Sequence, residues 1–124
     1  MGRLLLLVAL LVPRPPVFAG LQSATTCLPG PVGGDRLVRY HLRWKAAHDD
    51  RTPSSRIVYD VYRASSPGAE SFVRPAYVTA PGLTSFTTPP LPSGTTYFFV
   101  VRARDAGGHR DANRVERNGV NLCL

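Results

Sequence analysis

Long hydrophobic runs are scarce in this chain. The longest, Leu4 to Val12, is nine residues, too short for a hydrocarbon core that needs about 20 residues as helix. Lysine is almost missing, with Lys45 alone beside 14 arginines. Acids are few, 8 against 15 bases, for a formal net charge of +7. No fold requires that skew, which fits codon usage in a GC-rich genome. Only two cysteines are present, and without a His pair at ligand spacing they make no zinc site. Helical periodicity is absent after residue 20, and 12 prolines and 11 glycines interrupt the chain. There is no Gly-rich phosphate loop with a Lys, no His-Glu-x-x-His and no Gly-x-Ser-x-Gly. No two carboxylates are spaced for glycoside hydrolysis, and 124 residues leave room for one domain without an interdomain cleft. An enzyme is not expected, and neither is a cofactor.

What is present begins with a leader pattern. Met1-Gly2-Arg3 is a short positive start, Leu4 to Val12 matches a secretory h-region, and Val17-x-Ala19 offers a compact pair before a cut. Residues 1–19 therefore read as a signal peptide and 20–124 as one domain. Loss of Arg3 and Arg14 would lower the net charge to +5. The expected location is secreted, extracellular or periplasmic, with no stable membrane insertion after processing. The other reading is an unprocessed N-terminal strand, since Phe18 and Leu21 would also suit one. Export makes a Cys27–Cys123 disulfide permissible. Closing so long a loop would stabilise by up to roughly 4–5 kcal/mol. Two free thiols or an intermolecular bridge are the alternatives.

Strand signals dominate the rest. Val38, Tyr40, Leu42, Trp44 and Ala46 alternate with Arg39, His41, Arg43 and Lys45, giving one apolar and one cationic face. Ile57, Tyr59 and Val61 alternate with Val58, Asp60 and Tyr62. Weaker strands are expected around Tyr77-Val78 and Thr84–Thr87. Tyr97, Phe99, Val101 and Ala103 alternate with Phe98, Val100, Arg102 and Arg104, and a last strand is expected over Arg117–Cys123. With a first strand ending at Cys27, seven short strands separated by turns predict an all-β, antiparallel, two-sheet sandwich.

Trp44, the run Tyr59-Asp60-Val61-Tyr62-Arg63-Ala64 and the run Leu91-Pro92-x-Gly94-Thr95-x-Tyr97-x-Phe99-x-Val101-x-Ala103-x-Asp105 resemble the second, third and sixth strands of a fibronectin type III domain. The resemblance covers about Gly20 to Leu124 and is similar to copies in exported bacterial proteins. It implies an immunoglobulin-like sandwich of seven strands. Trp44, Tyr59 and Leu91 would lie in its core, and Tyr97 would be a tyrosine corner bonding the turn before strand six. It also implies that Cys27 and Cys123 meet at one pole.

With strands three and six adjacent, as the resemblance implies, Val58, Tyr62, Phe98, Val100 and Arg102 share an outward face, with Asp60 able to pair across the strands. That many outward apolar groups suggest a partner surface. Cover by the loop between Ser65 and Pro81 is the alternative. His41 reads as a solvated surface residue. His48, Asp49, Asp50, His109 and Asp111 fall in loops at one end, where they could hold a metal or simply bond backbone N–H groups. Arg39, Arg43 and Lys45 form a cationic strip, either solvated or facing an anionic cell-surface polymer. Bases are not clustered with aromatic platforms, so nucleic acid is not expected. The functional expectation is a non-catalytic interaction or spacer module that binds an unknown protein or an extracellular glycan. The alternative is a glycan-binding accessory to carbohydrate-active enzymes.

Overall fold

The computed structural model of the chain describes residues 14–26 and 37–121. The Leu4–Val12 run and the expected Cys27–Cys123 bond lie outside them. Ten short strands form, β1 (Leu21–Thr26), β2 (Leu37–Val38), β3 (Tyr40–Trp44), β4 (Val58–Ala64), β5 (Tyr77–Val78), β6 (Ser85–Thr87), β7 (Leu91–Pro92), β8 (Phe98–Arg104), β9 (Glu116–Asn118) and β10 (Val120–Asn121). A single 3-10 turn, Ser54–Arg56, is the one helical element among the described residues, as the Pro and Gly punctuation predicts.

Two four-stranded sheets are built, ordered β10-β1-β3-β6 and β5-β4-β8-β9, with a small β2-β7 pair beside them. Their pairings are antiparallel except β1 with β10, which run parallel. The expected single strands split where the chain changes partner. Thr26 donates its hydroxyl to the Arg39 carbonyl at 2.9 Å, separating β2 from β3. Gly119 separates β9, paired with β8, from β10, paired with β1. A Cβ at Gly119 would collide with the Tyr40 ring, so the crossing between sheets needs a residue without a side chain.

The core lies between the sheets. Leu21, Leu42 and Trp44 from one sheet meet Tyr59, Val61, Phe99 and Val101 from the other. Ring centroids stand 5.1 Å apart for both Trp44–Tyr59 and Tyr40–Phe99, in the tilted geometry that aromatic pairs prefer. Trp44 donates its indole N–H to the Leu83 carbonyl at 3.1 Å, and the Tyr59 hydroxyl accepts from the Ala47 N–H at 2.9 Å. Leu91 is buried, and Tyr97 packs against the core while partly exposed. The hydroxyl that reaches the turn before β8 is that of Tyr40, donating to the Thr95 carbonyl at 3.4 Å. The Tyr97 ring packs edge-on against Tyr40 at 5.8 Å. Ala46, expected inward, is exposed, and Ala47 is buried in its place, because the alternation stops where β3 ends.

The packed fold starts before Gly20. The Val17 N–H donates to the His48 carbonyl at 2.7 Å, and the His48 N–H returns a bond at 3.0 Å. Phe18 stacks on Tyr59 with centroids 5.3 Å apart, and Pro16 is buried.

Candidate binding face

The expected partner patch sits on the β4-β8 pair, whose register sets Val58 against Arg104, Asp60 against Arg102, Tyr62 against Val100 and Ala64 against Phe98. The five residues are therefore brought together, but they are not open. Tyr62 and Val100 are each 1% exposed, and Val58, Phe98 and Arg102 are half-buried. The loop between β4 and β5 folds back and lays Phe72 on Tyr62, centroids 5.0 Å apart. The Arg102 guanidinium stands 3.5 Å from the Phe72 ring centroid and Arg114 stands 5.4 Å from it, both cations over a π face. The expectation of a solvent-facing patch is corrected accordingly. An outward row this apolar is more stable under its own loop than in water. Burial holds the Tyr62 phenol above its ordinary value and the Arg102 guanidinium below its own.

Asp60 anchors the same face. It is fully buried and accepts from Arg104 twice, at 3.0 and 3.2 Å, and from Arg110 at 2.7 Å. The hydrogen bond to Asp60 raises the Arg104 pKa. Two guanidinium groups on one carboxylate satisfy the charge that burial would otherwise penalise.

The loop acids and histidines go to local bonds. Asp49 accepts from the Arg51 and Thr52 N–H groups. Asp105 accepts from the His109 N–H at 2.8 Å and faces the His109 ring at 3.1 Å. Asp111 accepts from the Ala103 N–H at 2.7 Å and from Asn113. Asp50 and His48 are exposed. Among the described residues no three His, Cys, Asp or Glu side chains are grouped to hold a metal, and no helix is long and apolar enough to cross a membrane.

On the other sheet the described outward side chains of β3 and β6 are exposed. On the β10-β1-β3-β6 sheet the register makes two cross-strand rows, Thr25–His41–Thr87 and Ser23–Arg43–Ser85. His41, Arg43, Ser85 and Thr87 are exposed, and Arg39 and Lys45 extend the cationic line along β3. His41 Nδ1 lies 3.0 Å from the Thr87 hydroxyl. Beyond Lys45 the line reaches a hollow of about 220 Å³ bordered by Gly20, Gln22, Lys45 and Arg117. Arg117 holds its place by donating Nε–H to the Leu21 carbonyl at 3.2 Å.

The strip on β3 was visible as alternation. Its flank of Ser23 and Thr25 was not, because β1 shifts register between Leu21 and Ser23, which blurs period two. No protein-family model matches the chain, and no curated protein or solved structure does either.

Proposed function

We propose that this protein is a non-catalytic, exported interaction module with a fibronectin type III-like sandwich, and that it binds an extracellular surface component through the β10-β1-β3-β6 face. Counting β2 with β3 and β9 with β10, and β7 as part of a turn, leaves seven strands. β1, β3 and β6 then stand in one sheet, and β5, β4, β8 and β9 in the other. That count and grouping support the fold reading.

One observation carries the functional reading. Of the two outward sheet faces, that of β4 and β8 is closed by the chain's own loop, while on that of β3 the described side chains Arg39, His41, Arg43 and Lys45 are exposed. Among the described residues the large exposed apolar side chains are aliphatic and scattered, such as Val17, Leu37 and Val73. An aromatic stacking platform for neutral sugar rings is therefore lacking, which favours a charged ligand over the accessory-module alternative.

The test is hydroxyl-radical footprinting of the full chain, with and without cell-envelope material from the producing organism. Protection concentrated on β3 and β6 is the expected result. Protection centred on residues 65–76 would move the binding face to the other sheet and overturn the reading.

A further inference from the structure

Among the described residues, bases lie on both sheets, but acids are confined to one sheet and the loops. Every acid among the described residues lies on β4, β8–β9 or a loop, and none lies on β1, β3, β6 or β10. Most of those acids are already engaged: Asp60 with Arg104 and Arg110, Asp105 with His109, and Asp49 and Asp111 with backbone N–H groups. Glu116 borders the groove beside β1, but its carboxylate accepts from the Gly68 N–H at 2.7 Å. Arg39, Arg43, Lys45 and Arg117 have no carboxylate within ion-pair distance among the described residues.

We propose that this face binds a linear acidic polysaccharide, with Arg39, Arg43 and Lys45 on the face and Arg117, reaching its edge from β9 of the other sheet, as anion contacts and the flanking Ser23, Thr25, Ser85 and Thr87 hydroxyls as sugar contacts. The inference rests on reading the β3 face as the binding face. Alternate residues of a strand stand about 7 Å apart, so the line from Arg39 to Lys45 runs roughly 20 Å. A polymer chain can lie along it and end an acidic group in the Lys45–Arg117 hollow. Hydroxyl groups on both sides of the cation line offer the donors and acceptors that sugar hydroxyls require.

Other polyanions fit less well. Single-stranded nucleic acid needs aromatic platforms, and the aromatics of these strands, Tyr40, Trp44 and Phe86, pack into the core. A duplex is read by an element that enters a groove, and this face is a broad sheet. A protein partner would need an apolar anchor at the centre, where Arg43 and His41 stand instead. Single exposed ion pairs contribute little each, so affinity must come from several contacts along one chain. It will therefore depend on polymer length and fall with salt.

The experiment measures full-chain protein binding to alginate, dextran sulfate, neutral dextran and duplex DNA at low and high salt. Binding to both acidic polysaccharides, none to dextran and weaker binding to DNA are expected. Arg43→Gln with Lys45→Gln should weaken alginate binding at least about tenfold. The equally charged control Arg56→Gln with Arg74→Gln, two exposed residues away from this face, should change it less than about threefold. Thermal melting of each variant confirms that it is folded. Equal losses in both pairs, preference for DNA, or no binding to either acidic polysaccharide at low salt would overturn the proposal. If the proposal fails while envelope material still protects β3 and β6 in footprinting, the face is right and the ligand chemistry wrong. If that protection is absent, the reading of the face itself has failed.

Discussion

At the scale of single residues, Asp60 and Tyr62 carry opposite lessons about buried polar groups. Asp60 has both carboxylate oxygens occupied by arginine donors. Removing its charge leaves Arg104 and Arg110 facing a neutral amide in a half-buried site. Breaking a buried pair costs about 3–5 kcal/mol, and here the arginines reach water, so Asp60→Asn is expected to lose about 3 kcal/mol in urea unfolding. A loss under about 1 kcal/mol would show that the pairs behave as surface bridges. The Tyr62 hydroxyl is buried with no hydrogen-bond partner among the described residues. A buried unsatisfied group destabilises, so Tyr62→Phe should leave stability unchanged or raise it by up to about 1 kcal/mol. A clear loss would mean that the hydroxyl is bonded in solution. These two outward positions read alike in the alternation of β4. Sequence distinguishes them poorly, because what differs is the loop that covers them.

Among the elements, the loop between β4 and β5 is held by Phe72 on Tyr62, by the Arg102 and Arg114 guanidinium groups on Phe72 and by the Gly68 N–H on Glu116, and Glu70 borders the same hollow as Glu116. Arg114 and Phe72 line the same hollow. Burial first, and the neighbouring Glu116 carboxylate second, raise the Glu70 pKa from 4.5 to about 7. The closed loop thus favours protonated Glu70. The stability this provides is full below pH 4.5 and is lost as pH rises through about 7. Glu70→Gln should abolish that dependence. The gap between variant and wild type in urea midpoint is expected to open from pH 4.5 and level off above 7, and a gap constant across that range would refute the assignment. The strands themselves were legible: β3, β4 and β8 follow period two so strictly that Leu42, Tyr59 and Val101 could be placed inward from spacing alone. What could not be read were the breaks at Arg39 and Gly119, where a strand trades one sheet partner for another. Such a change leaves no mark on hydrophobic alternation.

For the molecule as a whole, the remaining question is where the fold begins. The leader pattern places a cut after Ala19, yet Val17 and Phe18, on its N-terminal side, are integrated in the sandwich. Val17 makes two backbone hydrogen bonds with His48, and Phe18 packs on Tyr59 at the sandwich end. The same Val-Phe-Ala run satisfies a small-x-small pattern and a strand edge, which is why sequence cannot choose between them. Packing can. A chain starting at Gly20 loses the half-buried Phe18 ring, a paired backbone segment and the cover over Tyr59. Burial of one aromatic ring and two net hydrogen bonds, offset by the chain entropy regained, amounts to about 2 kcal/mol. For a domain of this size that is a fall of roughly 10 °C in Tm. Proteins beginning at Arg14 and at Gly20 should therefore differ by that amount in calorimetry, with the longer form more stable. If export processes the chain, mass spectrometry of the secreted protein should find the new N-terminus at or before Pro16. A Gly20 terminus on a protein as stable as the longer form would show that the segment is dispensable and return the boundary to Ala19.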